Sequence, residues 1–218
     1  MLATLAPKLT HYPMTASGTR FAFCGYNARR TMASTALRKR FSVDDYYRMA
    51  DAGILGERDR VELIDGHVVT MSPIGPRHAA CVDRALQTLF FSVGRNAVIR
   101  PGNPVRLDRF NEPQPDLTLL RPAPDFYASA HPGPDDVLLV IEIADTSIRF
   151  DQTIKARLYA EWGLAEYWLA DLKAQCLWVY SSPHEGTYRT VERGHRGESL
   201  APRRLPGCVV PFDAFLIG

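Results

Sequence analysis

The chain reads as an α/β protein, a mixed β-sheet flanked by helices. Three observations predict this. Segments of helical and strand character follow the order helix, hairpin, helix, several strands, helix, several strands. Asp65-Gly66 stands between two apolar runs, which is the strongest short-range hairpin signal. Leu138–Ala144 is the most β-like run of the chain, and the helical stretch after it can carry a parallel crossover.

The elements follow in order. "FSVDDYYRMADAGIL" predicts a helix with Ser42 as N-cap, Asp45 three residues on, Tyr46, Met49 and Ala50 as its apolar stripe, and Gly53 as its stop. "RVELIDGHVVTMSP" predicts the hairpin. Residues 77–93 follow Pro76 and place Ala80, Ala85, Leu86, Leu89, Phe90 and Val93 on one helical face. "AVIRPGNPVRLD" is a β-like run broken by Pro and Gly, and "PDLTLLR" is a compact strand. Residues 122–136 are rich in Pro, Gly and Asp and predict a loop. After the strand through Leu138–Ala144, "DQTIKARLYAEWG" predicts a helix from Asp151 to a Gly163 stop. "AEYWLAD" and "CLWVYSS" predict strands joined by a turn over 171–175; "GTYRTVERG" predicts a weaker one. Trp162, Tyr167, Trp168 and Trp178 suit a core or an interface better than base stacking.

Charge divides the chain. Residues 1–40 hold seven basic side chains and no acid, leaving 19 basic and 24 acidic residues, a net of −5, in residues 41–218. Bulk positive charge therefore recruits nothing to the larger part. The first forty residues are read as a basic N-terminal extension without its own fold. Its composition suits a transit-like segment, an arm touching nucleic acid phosphate, or upstream sequence ahead of a start at Met32, and the last is preferred. Residues 41–218 form the expected domain. No apolar run approaches the roughly 20 residues that span a bilayer. Cys24, Cys81, Cys176 and Cys208 are scattered without metal-ligand spacing, which excludes a zinc cluster and suits reduced thiols in a cytoplasmic protein.

Two carboxylates stand where burial is expected. Along Leu138–Ala144, alternation puts Glu142 on one face with Leu138 and Val140. A buried ionised carboxylate must be paired, protonated or bound to a cation. Asp116 raises the same problem at the start of "PDLTLL". Lys155 is one of only four lysines and lies thirteen residues after Glu142, on the next helix. Two carboxylates on neighbouring strands with a lysine suit a hard divalent cation, phosphate polarisation and an oriented water. Plainer explanations also stand: a strand-edge role for Asp116, an arginine partner for Glu142, and a solvated i,i+4 pair of Asp151 with Lys155.

The quoted motifs "RVELIDG", "SPIGPRHAACVDRALQTL", "QPDLTLL", "LLVIEIADTS", "DQTIKARLYAEWGLAEYWLAD" and "LPG…PFDAF" occur in order across residues 41–217. In these the chain resembles the Uma-type restriction endonuclease family of the PD-(D/E)XK nuclease superfamily. The resemblance implies a restriction-endonuclease-like core. It matches Asp116 and Glu142 to the metal-binding acids, Lys155 to the catalytic lysine, Glu62 to a further acid at the metal site, and His78 to a histidine at the start of the second helix. In the superfamily pattern the lysine lies two residues after the second acid, where this chain has Ala144. Asp145 stands where the family has a serine, and His67 where it often has an acid.

The function implied is a Mg2+- or Mn2+-dependent endonuclease that hydrolyses DNA, with homodimers common in the superfamily. The alternative is a catalytically inactive nuclease-fold protein that binds nucleic acid or a partner protein. Geometry separates them, because the enzyme requires Glu62, Asp116, Glu142 and Lys155 to meet at one pocket.

Overall fold

The computed structural model describes residues 38–56 and 58–217. Met32, Cys24 and most of the basic N-terminal segment lie outside these residues. Helix α1 spans Val43–Asp51 and opens on a reciprocal cap: Ser42 Oγ accepts from the Asp45 N–H at 3.1 Å, and Asp45 Oδ2 accepts from the Ser42 N–H at 3.0 Å. Its buried side chains are Val43 and Tyr46, which pack with Leu63. Met49 is only half-buried and Ala50 is exposed, so the expected stripe is narrower.

Strands β1, Val61–Ile64, and β2, His67–Thr70, form the predicted hairpin. Asp65 and Gly66 both have positive φ, 51° and 72°, as a two-residue type I′ turn demands. Gly66 is required twice over, since a Cβ there would meet the Arg40 Cβ at 2.7 Å.

The main sheet has six strands: β3, Val98–Pro101; β4, Leu117–Leu120; β5, Val137–Ala144; β6, Glu166–Asp171; β7, Cys176–His184; and β8, Thr187–Gly194, in that spatial order. Only β5 and β6 pair in parallel; the other neighbours are antiparallel. A parallel pair needs a long crossover, and helix α3, residues 148–161, supplies it. Helix α2, Pro76–Val93, covers one face through Cys81, Ala85, Leu89 and Val93, packed with Leu119, Leu139, Ile141, Ile143 and Trp168. Helix α3 covers the other through Ala156, Leu158 and Tyr159, packed with Val140, Ala144 and Tyr167. Near the chain end, β9, Ser199–Leu200, and β10, Val210–Pro211, pair separately.

Three expectations need correction. The buried stripe of α2 runs through Cys81 at i, i+4 spacing; Ala80 is exposed and Phe90 is 65% exposed, because only one flank of this helix meets the sheet. Leu138 does not share the face of Glu142. Pairing slips from Leu119↔Leu139 to Leu120↔Val137, so Leu138 is the extra residue of a bulge and turns into the α2-side core. Helix α3 begins before Asp151. Ile148–Phe150 is helical, Asp151–Lys155 forms a π turn, and Ala156–Glu161 continues the helix.

Candidate active site

Pairing between β4 and β5 brings the two suspect carboxylates together. Leu117 pairs with Ile141, so Asp116, one residue before β4, comes beside Glu142. The Asp116 N–H points at Glu142 Oε2 at 3.4 Å, and Asp116 Oδ2 accepts from the Ile143 N–H at 2.8 Å. Glu142 faces the α3 side with Val140 and Ala144. That orientation aims its carboxylate at the helix that carries Lys155.

Lys155 completes the cluster. Its Nζ lies 2.9 Å from Glu142 Oε1 and 3.2 Å from Glu62 Oε2, with the side chains about 5% exposed or less. Glu62 comes from β1, and its Oε2 also accepts from the Gln114 N–H at 3.1 Å. The Tyr159 hydroxyl donates to Glu142 Oε1 at 2.7 Å. Asp151 is buried in the same wall and accepts from Ser147 Oγ at 2.5 Å. Thus Asp151 and Lys155 are not a solvated surface pair. The π turn aligns the three α3 groups. In a plain α-helix each four-residue step drifts by about 40°, so residues eight apart diverge by about 80°. The wider turn, closed by the Ala156 N–H to Asp151 C=O bond, removes part of that drift.

His78, in the first turn of α2, reaches across to Asp116, with Nε2 3.0 Å from Oδ2. The bond raises the imidazole pKa against the opposing effect of burial. It leaves Asp116 Oδ2 engaged and Oδ1 without a hydrogen bond among the described residues. Glu142 is arranged alike: Oε1 takes Lys155 and Tyr159, and Oε2 has only the long contact to the Asp116 N–H.

Electrostatics follow from burial. Desolvation pushes the Glu142 pKa up to about 8 against the pull of Lys155, and Asp116, Asp151 and Glu62 add to the rise. Burial likewise pushes Asp151 up to about 6, opposed by Lys155 and the Ser147 hydroxyl. Burial opposes the charge on Lys155, but Glu142, Glu62 and Asp151 outweigh it and hold the ammonium above the usual lysine range. These directions fit one picture. Lys155 stays cationic, and the acids around it carry more negative charge than one ammonium neutralises. Burial and mutual repulsion therefore favour uptake of a proton or a further cation by this cluster.

All five residues singled out in the sequence, Glu62, His78, Asp116, Glu142 and Lys155, line one cavity of about 470 Å³. Asp145 lines it too and adds negative charge near His78, whereas His67 is exposed and does not line it. Among the described residues, no three His, Cys, Asp or Glu side chains form a closed metal cage. The donor set suits a different site. Mg2+ takes one or two carboxylates and keeps several waters, and Asp116 Oδ1 with Glu142 Oε2 offers that hard-oxygen pair. Of the cysteines, Cys81, Cys176 and Cys208 are buried and free.

Sequence reasoning paired Asp151 with Lys155 only as a solvated surface pair, gave Tyr159 no role at the site, and did not pair Glu62 with Lys155. A signal existed in the spacing Asp151, Lys155, Tyr159, four residues apart at each step, which makes each successive pair neighbours on a helix surface.

The fold and cavity define a class: an α/β protein with a central mixed sheet and an acid-rich, lysine-containing pocket at the end of its strands. Comparison with known proteins gives the family. The profile of the Uma2 family, described as "Putative restriction endonuclease", matches residues 43–213, and the chain belongs to that family. It is also similar to the crystal structure of "a putative nuclease belonging to DUF820 from Anabaena variabilis ATCC 29413". That likeness has 14% sequence identity and a TM-score of 0.61, and covers 80% of this chain and 97% of the other. It supports the restriction-endonuclease-like fold. No curated protein matches the chain. Among the described residues no helix is long and apolar enough to cross a membrane.

Proposed function

We propose that the protein is a divalent-metal-dependent endonuclease that hydrolyses DNA phosphodiester bonds. The observation that carries this reading is the convergence of Glu62, Asp116, Glu142 and Lys155 at one cavity, with more acid than its lysine can neutralise. Asp116 and Glu142 would hold Mg2+ or Mn2+ through their less engaged oxygens. When bound, the cation supplies Lewis-acid polarisation of a phosphoryl oxygen and a water acidic enough to attack near neutral pH.

The chain's own groups do the positioning. Tyr159 and Lys155 fix one oxygen of Glu142, and His78 and the Ile143 N–H fix one oxygen of Asp116. An ammonium has three N–H donors. Glu142 accepts one of those on Lys155 at 2.9 Å and Glu62 pairs with its charge at 3.2 Å, leaving a donor to orient the attacking water or meet a phosphoryl oxygen. Glu62 thus holds the lysine from the hairpin, and Glu142 from the main sheet.

The test pairs calorimetry with plasmid cleavage. Wild type should bind Mn2+ and nick plasmid DNA only with Mg2+ or Mn2+. Asp116→Ala should lose the binding heat and at least about a hundredfold in rate, since metal polarisation supplies several kcal/mol. The same negligible heat and cleavage in wild type and variant, under every divalent metal tried, would overturn the enzyme reading.

A further inference from the structure

The cavity has a charge problem of its own. A nucleic acid brings one negative charge per phosphate into a space lined by Glu62, Asp116, Glu142, Asp145 and Asp151. The lining lysine and arginine are Lys155 and Arg60. Lys155 is held between two carboxylates, at 2.9 and 3.2 Å. Arg60, one residue before β1, makes no salt bridge among the described residues. Its one side-chain hydrogen bond there runs from Nη1 to the Ser72 carbonyl, at 2.5 Å. A guanidinium has five N–H donors in a rigid fork, so among the described residues four have no partner.

That tie also fixes where the fork stands. The Arg60 carbonyl accepts from the Met71 N–H at 2.8 Å, so backbone and side chain both grip the segment leading to α2. Arg60 lines the same cavity as Asp116 and its partner His78. The amino end of α2 opens on the same cavity with Gly75 as N-cap, no side-chain cap and no acid of its own in the first turn; the acid that reaches it is Asp116, through His78.

We propose that Arg60 is the substrate-gripping residue of this site, binding a backbone phosphate of DNA and holding the neighbouring ester over Asp116 and Glu142. This rests on the nuclease reading above. A planar fork suits bidentate phosphate contact better than an ammonium does. Arg60 is pre-positioned by Ser72, so little side-chain freedom remains to be lost on binding.

The test measures binding of a fluorescent DNA duplex with Ca2+ replacing Mg2+, over a series of salt concentrations, for wild type, Arg60→Gln and Arg60→Lys. Arg60→Gln should weaken binding by about 10–100-fold, the range for a hydrogen bond to a charged group. It should also make the slope of log K against log salt shallower by about 0.9, the loss of one phosphate contact. Arg60→Lys should recover the slope but only part of the affinity. A residue that merely ties the 71–75 segment would lower the melting temperature and leave the slope alone. An unchanged slope in Arg60→Gln overturns the proposal. DNA binding through Arg60 without Mn2+ uptake would overturn the metal-dependent reading and leave Arg60's role standing. A wild type that binds no DNA overturns both.

Discussion

Removing the ammonium at Lys155 isolates the electrostatic core of the site. Lys155→Met keeps most of the apolar stem and deletes only the charge, at a residue 4% exposed. Glu142 and Glu62, 4% and 2% exposed, then lose their cationic partner. Breaking a buried pair by removing one member costs about 3–5 kcal/mol, because the remaining charge stays desolvated. For a chain of 218 residues, that lowers the melting temperature by about 6–20 °C. The loss should depend on pH. Without the lysine, the pKa values of Glu142 and Asp151, already raised to about 8 and about 6, rise further. A carboxyl whose folded pKa is raised destabilises the fold fully above that pKa, and the penalty shrinks as pH falls toward its unfolded value. The deficit should thus be large at pH 8.5 and smaller at pH 6. Urea denaturation at both pH values measures it. A deficit below about 1 kcal/mol at pH 8.5, the range of exposed pairs, would refute the buried cluster and restore the solvated i,i+4 reading.

Two further outcomes follow from the same geometry. Tyr159→Phe removes the 2.7 Å hydrogen bond to Glu142 Oε1 and should destabilise the protein by about 1.5–3 kcal/mol, as for hydrogen bonds to charged groups, measured by urea denaturation at pH 8. The metal-free wild type should gain thermal stability as pH falls from about 8.5 to 6. Glu142, Asp151 and His78 all have raised folded pKa values and bind protons more tightly folded than unfolded; saturating Mn2+ should flatten that trend, and calorimetric melting across the series measures both.

What could be read in the sequence was local chemistry or a burial anomaly. Asp65-Gly66 announces its turn because only small or αL-tolerant residues accept positive φ there. Ser42 and Asp45 announce a cap through side-chain chemistry three residues apart. Asp116 and Glu142 stand out because a charge inside an apolar run demands a partner. What stayed hidden depends on distant pairing. The bulge at Leu138 exists only in register with β4, and no residue near Leu138 encodes it. Asp151 and Lys155 have the same spacing whether solvated or buried, and only packing of α3 on the sheet decides between them.

The place of the lysine follows from that packing. At Ala144, two residues along β5, a side chain shares the face of Glu142. That face is filled: Ala144 is 1% exposed, in one cluster with Val140, Ala156, Leu158 and Leu169. A lysine stem there would overpack the layer between sheet and helix. Carried on α3, the ammonium arrives from across the layer and lies between Glu142 and Glu62, which belong to different sheets. One charge then joins the hairpin, the central strand and the crossover helix. Its position depends on the π turn that also aligns Asp151 and Tyr159. The chemistry of the site is therefore tied to the irregularity of α3, and a change that restores regular α-helix over Asp151–Lys155 would turn these groups out of line while leaving every site residue in the sequence.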